Sequence, residues 1–237
     1  MKQAMQIVFY FICAFLLTSC EKIEGEGPVV TDNRSITGFT GIDLRTSGNV
    51  YFEEGTEYKV EVRGQRNIID VLETFVNDGR LVIKYRNNVR IKSGDNVTVT
   101  VTAPQLRNLK VSGSGNMEAT DQLEAEDLDL HISGSGNIRL LGLTATELEA
   151  RVDGSGNIRA GAGTADDAEF TISGSGNIDL PNVQAKRVKT RTTGSGEMKL
   201  YATETLNASI SGSGHVYYKG NPALQVSVTG SGRVQPL

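Results

Sequence analysis

Residues 128–140 read LDLHISGSGNIRL, residues 148–160 read LEARVDGSGNIRA, and residues 168–180 read AEFTISGSGNIDL. Each stretch is two runs of alternating apolar and polar residues hinged on Gly-Ser-Gly. Leu130 and Ile132, Ala150 and Val152, and Phe170 and Ile172 precede the hinge; Ile138 and Leu140, Ile158 and Ala160, and Ile178 and Leu180 follow it. Alternation with period two sends one set of side chains to one face of a strand. The polar partners, among them Asp129, His131, Arg139, Arg151, Arg159, Glu169, Asp179 and Lys199, go to the other. A glycine pair around a serine supplies the positive φ that a tight corner needs.

The triplet recurs as Gly113–Gly115, Gly134–Gly136, Gly154–Gly156, Gly174–Gly176, Gly194–Gly196, Gly212–Gly214 and Gly230–Gly232, at spacings of 21, 20, 20, 20, 18 and 18 residues. Asn116, Asn137, Asn157 and Asn177 follow the first four copies, and Glu197, His215 and Arg233 the last three. Ser47-Gly48-Asn49-Val50 is a degenerate relative. A fixed period of this length signals a repeat architecture. The alternation slips again at the pairs Glu126-Asp127, Thr146-Glu147, Asp166-Asp167, Lys186-Arg187 and Glu204-Thr205. Two short strands and two corners per unit are therefore expected, stacked as coils of an all-β solenoid over residues 111–237. A chain of antiparallel hairpins is the alternative. Whether one unit is a whole turn stays open. Stacked coils would let the four asparagines form a ladder, each amide bonding the next corner.

Residues 35–110 are less regular. Strand-like runs occur at Ile42–Leu44, Val50–Phe52, Tyr58–Val62, Leu81–Tyr85 and Val97–Thr102, with a helical or irregular insertion at Arg66–Val76. Asp78-Gly79 between apolar runs predicts a hairpin. This part is expected to supply the first coils or a cap. Trp is absent and Phe and Tyr number 7 each, so Val, Ile, Leu and Ala must build most of the core.

The N-terminus reads as an address. Lys2 precedes an apolar run from Ile7 to Leu17, short for a membrane span and suited to a signal peptide over residues 1–19. It ends in Leu17-Thr18-Ser19-Cys20, which resembles the bacterial lipobox. That resemblance implies that Cys20 becomes the lipid-bearing N-terminus and holds the protein at a membrane. Cys13 would be removed with the signal, leaving one cysteine and no intrachain disulfide. Residues 20–34, which include EKIEGEGPVV at 21–30, read as a polar tether. The net charge is −4, and removal of Lys2 leaves about −5. With no basic tract, a nucleic-acid partner is not expected.

Taken together, Gly38–Phe52 (GFTGIDLRTSGNVYF), Thr100–Met117 (TVTAPQLRNLKVSGSGNM) and the GSGNI copies at Gly134, Gly154 and Gly174 resemble the Bacteroidetes auto-transporter adhesin family with a head GIN domain. The likeness spans roughly residues 35–237. It implies a right-handed parallel β-helix of pectin-lyase-like form, an adhesive role, and none of the catalytic residues of pectin-lyase-like enzymes. Glu197, His215 and Arg233 depart from the Asn pattern and leave an Asn ladder incomplete toward the C-terminus.

Chemistry-bearing motifs are few. GSGN lacks the lysine and the strand–loop–helix setting of a phosphate loop. Asn in place of Asp brings no charge to calcium, so no metal or cofactor is expected. Asp153, Asp166, Asp167 and Asp179 were the acids to weigh as a paired-carboxylate site, and solvated turns suit them better. His131 and His215 stand four repeats apart. Tyr201, Tyr217 and Tyr218 concentrate aromatic surface near the C-terminus, either for stacking on a sugar or protein or for packing at the solenoid end. The expected function is non-enzymatic: an outer-membrane, surface-exposed lipoprotein whose repetitive β surface binds an extracellular glycan or protein. A periplasmic structural or assembly lipoprotein and, more remotely, a polysaccharide-active enzyme are the alternatives. A solenoid's open end also makes a homo-oligomer an expectation.

Overall fold

The computed structural model describes residues 21–93 and 97–237. The signal peptide expected over residues 1–19, Cys13 and the lipobox-like run ending in Cys20 lie outside the described residues.

The repeating part is a parallel β-solenoid, and the described residues make about six turns of it. The strands β11 (Asn116–Gly134), β12 (Asn137–Gly154), β13 (Asn157–Gly174), β14 (Asn177–Gly194) and β15 (Glu197–Gly212) stack directly on one another. β16 (His215–Lys219), β17 (Ala223–Gly230) and β18 (Arg233–Pro236) complete the C-terminal coils. Every pairing among them is parallel, which excludes the chain of hairpins. Asn116 aligns with Asn137 and Asn137 with Asn157, so each repeat unit is one full turn.

Each regular turn has three sides, not the two expected. Between β12 and β13 the ladder runs over Asn137–Leu140, Gly142–Ala145 and Glu147–Gly154 and skips Leu141 and Thr146. Gly142 and Leu143 are both buried, whereas Thr146 and Glu147 are both exposed, so the chain bends at each place. We call these sides the Asn face, the short face and the long face. In the 18-residue turns the saving falls beside the short face, where the β14–β15 register jumps from Asp179 to Gln184.

The corner between the long face and the Asn face shows why glycine is kept. Gly154 takes φ +130°, and a Cβ on it would lie 2.4 Å from the Gly134 carbonyl oxygen. Gly156 needs no positive φ; its Cβ would meet the Gly136 carbonyl oxygen at 2.3 Å. The first glycine thus turns the chain, while the second admits the coil beneath. The corner amides of Ser155 and Gly156 donate to the Gly134 carbonyl at 2.9 and 3.2 Å, which satisfies the turn.

Inward side chains form columns through the stack. Leu130, Ala150, Phe170, Thr190 and Ala208 lie in one, and Ile132, Val152, Ile172, Thr192 and Ile210 in the next. Besides Ile158 and Ile172, the coil that carries Phe170 turns only Ala160, Ala165 and Ala168 inward, so the phenyl ring fills space that these small residues leave open.

Residues 35–110 supply both coils and a cap. β3 (Gly41–Leu44) and β10 (Asn108–Val111) lie on the long face, and β4 (Asn49–Glu54) lies on the Asn face. β7 (Arg80–Tyr85) and β9 (Thr98–Ala103) extend the two faces in parallel. Antiparallel strands then end the stack: β6 (Leu72–Asn77) on β7, and β5 (Lys59–Gln65) on β9. The β6–β7 turn is the hairpin expected at Asp78-Gly79, with φ +52° and +69°. In the expected insertion only α1 (Arg66–Ile69) is helical, and the rest joins β6.

Residues 21–34 are not a tether. β1 (Glu21–Glu24) pairs in parallel with β8 (Val89–Ser93), and β2 (Val29–Arg34) pairs antiparallel with β5. Arg34 fastens β2 by donating to the Leu72 carbonyl and the Thr74 hydroxyl, both at 2.8 Å.

Candidate ligand-binding face

The Asn face begins at each Gly-Ser-Gly corner, so the residue after the corner is held at the same place in every turn. The amides of Asn116, Asn137, Asn157 and Asn177 donate to the side-chain oxygens of Asn49, Asn116, Asn137 and Asn157, at 2.9, 2.7, 2.8 and 2.8 Å. The ladder therefore starts one turn earlier than the GSGN copies, at Asn49 of the degenerate motif. It ends where the Glu197 backbone N–H donates to Asn177 Oδ1 at 3.2 Å, because Glu197 has no amide to continue it. One Asn proton and one oxygen lone pair serve each rung, leaving a second of each to face outward.

Two positions beyond the ladder runs a second column: Tyr51, Glu118, Arg139, Arg159, Asp179, Lys199 and Tyr217. Between the two columns lies a trough of about 350 Å³, lined by Asn49, Asn116, Asn137, Asn157, Tyr51, Glu118, Arg139 and Arg159. A second trough of about 580 Å³ follows toward the short face, bounded by Thr120, Leu141, Gly161, Pro181 and Asn182. Glu118, Arg139 and Arg159 line both. Arg159 reaches Asp179 at 3.6 Å. Arg139 makes no side-chain hydrogen bond or ion pair among the described residues. Its guanidinium offers five free donors between the two troughs, beside Glu118, which likewise makes no side-chain hydrogen bond or ion pair among the described residues.

The three tyrosines do not form one patch. Tyr217 points outward in the arginine column and stacks on His215, ring centroids 6.1 Å apart and planes 20° apart. Tyr218 packs inward against the core. Tyr201 pairs with Gln184 and Lys219 beside the short-face corner.

The long face carries Asp129, Glu149, Asp153, Asp167 and Glu169, and the acids weighed for catalysis, Asp179 of the Asn face included, pair with cations. Asp153 accepts from Arg151 at 2.7 and 3.2 Å and lies 3.1 Å from His131 Nε2. The Arg151 hydrogen bonds hold the Asp153 carboxyl below its ordinary range. Asp166 pairs with Lys186 at 2.7 Å, and Asp167 with Arg187 in a two-point contact that lowers its pKa. His131 and His215 sit on different faces, on β11 and β16. Among the described residues no group of three or more His, Cys, Asp or Glu is placed to hold a metal ion.

Asn49, Arg139 and Arg159 are the residues that sequence reasoning did not mark as site residues. The signal for Asn49 was present in Ser47-Gly48-Asn49-Val50. For the arginines it was their shared offset of two from the ladder asparagine.

Comparison with known proteins bears on this face. Residues 38–222 match the family described as "Putative auto-transporter adhesin, head GIN domain". The chain belongs to this family. Solved structures agree in fold. A "putative adhesin" from Bacteroides fragilis NCTC 9343 superposes with TM-score 0.84 at 27% identity, over 91% of this chain and 100% of that one. A "Putative lipid binding protein" from Parabacteroides distasonis ATCC 8503 gives 0.79 at 26%, over 92% and 100%. A "putative adhesin" from Parabacteroides merdae ATCC 43184 gives 0.74 at 24%, over 92% and 99%. No curated protein matches. Membership points this adhesin-family chain to the cell envelope or surface. Among the described residues no helix is long and apolar enough to cross a membrane.

Proposed function

We propose that the chain is a surface-exposed envelope lipoprotein, held by acyl chains on Cys20, that binds an extended acidic glycan along the Asn face. The observation that carries this reading is the trough in which the Asn ladder faces Arg139, a guanidinium with no partner of its own. Ladder amides offer donors and acceptors at the strand spacing of about 4.8 Å, which suits the hydroxyls of an extended polymer. Arg139, backed by Arg159, supplies the charge-assisted contact to a carboxylate or sulfate. Tyr51 and Tyr217, toward the two ends of the column, add surface for stacking on a sugar ring. Individually weak contacts repeated from turn to turn would add up by multivalency.

The test is retention of the protein on immobilised acidic polysaccharides against neutral ones. Arg139→Ala with Arg159→Ala should weaken acidic binding at least tenfold and leave neutral binding unchanged. Equal retention of the double variant would refute the acidic-glycan reading. Protease accessibility on intact cells addresses location: exposure that disappears in Cys20→Ala supports a lipid-anchored surface protein. Full protection of the native chain would instead favour the periplasmic structural role.

A further inference from the structure

The inward columns of the long face stay buried until the last turn and are then abruptly open. Leu206, Ala208 and Ile210 are 1%, 1% and 2% exposed. Leu224, Val226 and Val228, stacked directly on them, are 49%, 45% and 40% exposed. Among the described residues β17 pairs only with β15, so its other edge offers a row of N–H and C=O groups without a strand partner there. Its sequence, ALQVSVTG, contains no charge and no proline. Natural edge strands are normally blunted by a charge, a proline, a bulge or a cover. β18, the other terminal strand, is blunted by Pro236.

The opposite end of the solenoid is treated differently. There β6 is short and Glu73 on it pairs with Lys84 of β7 at 3.2 Å, while Asp78 of the adjoining turn pairs with Arg80 at 3.3 Å. Arg34 bonds across it. β6 is also an edge strand, with Phe75 and Val76 part-exposed, but it carries the charge of Glu73, whereas β17 is a neutral, apolar, hydrogen-bonding template.

We infer that this end is covered by a second copy of the same chain, joined end to end about a two-fold axis. An axis through the middle of β17 makes the strand its own antiparallel partner. Centred on Val226, it sets Leu224 against the partner's Val228 and Val226 against the partner's Val226, with Gln225 opposite the partner's Ser227. Leu224, Val226 and Val228 of both copies then share the interior, and Gln225, Ser227 and Thr229 the exterior. A neutral edge meets its own copy without like-charge repulsion, as an isologous contact requires. A charged partner would find no complementary charge on β17. The dimer would present two Asn faces, one per copy, so its consequence for binding is avidity. The inference stands independently of the ligand proposed for that face.

The experiment is sedimentation of the full chain in non-ionic detergent, over a wide concentration range, as native protein and as Val226→Lys. The native chain should approach twice the monomer mass. Val226→Lys places two ammonium groups at the axis and should leave monomer, with an unchanged circular-dichroism spectrum because the site is exposed in the monomer. In parallel, Val226→Cys should give a disulfide-linked dimer on oxidation, while Thr164→Cys, three turns away on the short face, should not. A native chain that remains monomeric at every concentration overturns the inference. So does a dimer that survives Val226→Lys, or a Val226→Cys chain that cross-links no better than Thr164→Cys.

Discussion

In the N-terminal cap, the interior is filled by large side chains that occur once each: Phe39, Phe52, Ile68 and Leu106 are fully buried, and Tyr58 meets the Phe39 ring edge-on at 4.9 Å. In the GSG coils the same job is done by columns in which one position repeats down the stack. The cap ends its faces with antiparallel strands and a hairpin, whereas the coils have only parallel pairing. The difference teaches where each region is vulnerable. A column tolerates exchange of size between turns, as Ala150, Phe170 and Thr190 show, but its corner tolerates nothing, because every corner rests on the one before. A hairpin turn at the periphery rests on nothing.

The sharpest way to break the comparison is a pair of glycine substitutions. Gly154→Val combines a positive φ with a backbone collision and should cost on the order of 5 kcal/mol. Gly79→Ala meets the positive φ alone, since no atom lies within 4 Å of its would-be Cβ. Its cost should be about 1 kcal/mol. Urea denaturation monitored by circular dichroism compares the two, and equal costs would dismiss the stacked-corner account.

Next in size is Phe170→Ala. The surrounding Ala160, Ala165 and Ala168 cannot refill the space, so the loss should be about 4 kcal/mol, near the upper part of the usual cavity range. A loss below about 1.5 kcal/mol, the scale of a tolerated volume-conserving swap, would mean that the coil collapses around the gap.

A gain is expected at Thr190 and Thr192. Both are 1% exposed, and neither hydroxyl has a hydrogen-bond partner among the described residues. Valine keeps the shape and removes the orphan oxygen, so Thr190→Val and Thr192→Val should each raise stability by about 1 kcal/mol in thermal or urea unfolding. Destabilisation by either would reveal a partner for the hydroxyl, such as bound water.

The smallest effect is a pH dependence at the junction of the two regions. Burial raises the pKa of Asp129, against the opposing effects of His131 and of the hydrogen bond donated by Asn108. An acid with a raised folded-state pKa holds its proton more tightly when folded. Below its unfolded value it has no effect. As pH rises through the folded value, stability falls, and the deficit persists at neutral pH. Asp129→Asn should therefore raise the urea midpoint at pH 7 relative to that at pH 3. A midpoint shift that is the same at both values would assign the effect to packing.

Much of the coil region was legible in the sequence. The GSG period and the alternation around it carry the parallel stack, because a strand with one buried face must keep period two and a tight corner must keep glycine. The third side was not legible. Leu141-Gly142-Leu143, Gly161-Ala162-Gly163 and Pro181-Asn182-Val183 agree at no aligned position, and Leu141, 62% exposed, continues an apolar run while pointing out. The tether was misread for a related reason. EKIEGEGPVV is polar enough to be a linker, yet Ile23 and Val30 pack against the core because β8 and β5, far along the chain, offer edges to pair with. At the candidate site the four asparagines were readable as a repeat. The troughs beside them arise only when Arg139 and Arg159 are brought into adjacent turns.

The sequence by itself determined the repeat, its glycine corners, its inward and outward residues and the family to which they belong, because each depends on contacts between a position and its own equivalent one turn away. The tertiary structure decided the rest: the three-sided cross-section, the capped end, the open end at β17 and the isolation of Arg139. Those depend on which non-equivalent segments meet, and a local pattern does not encode a partner as far along the chain as Val89 is from Glu21.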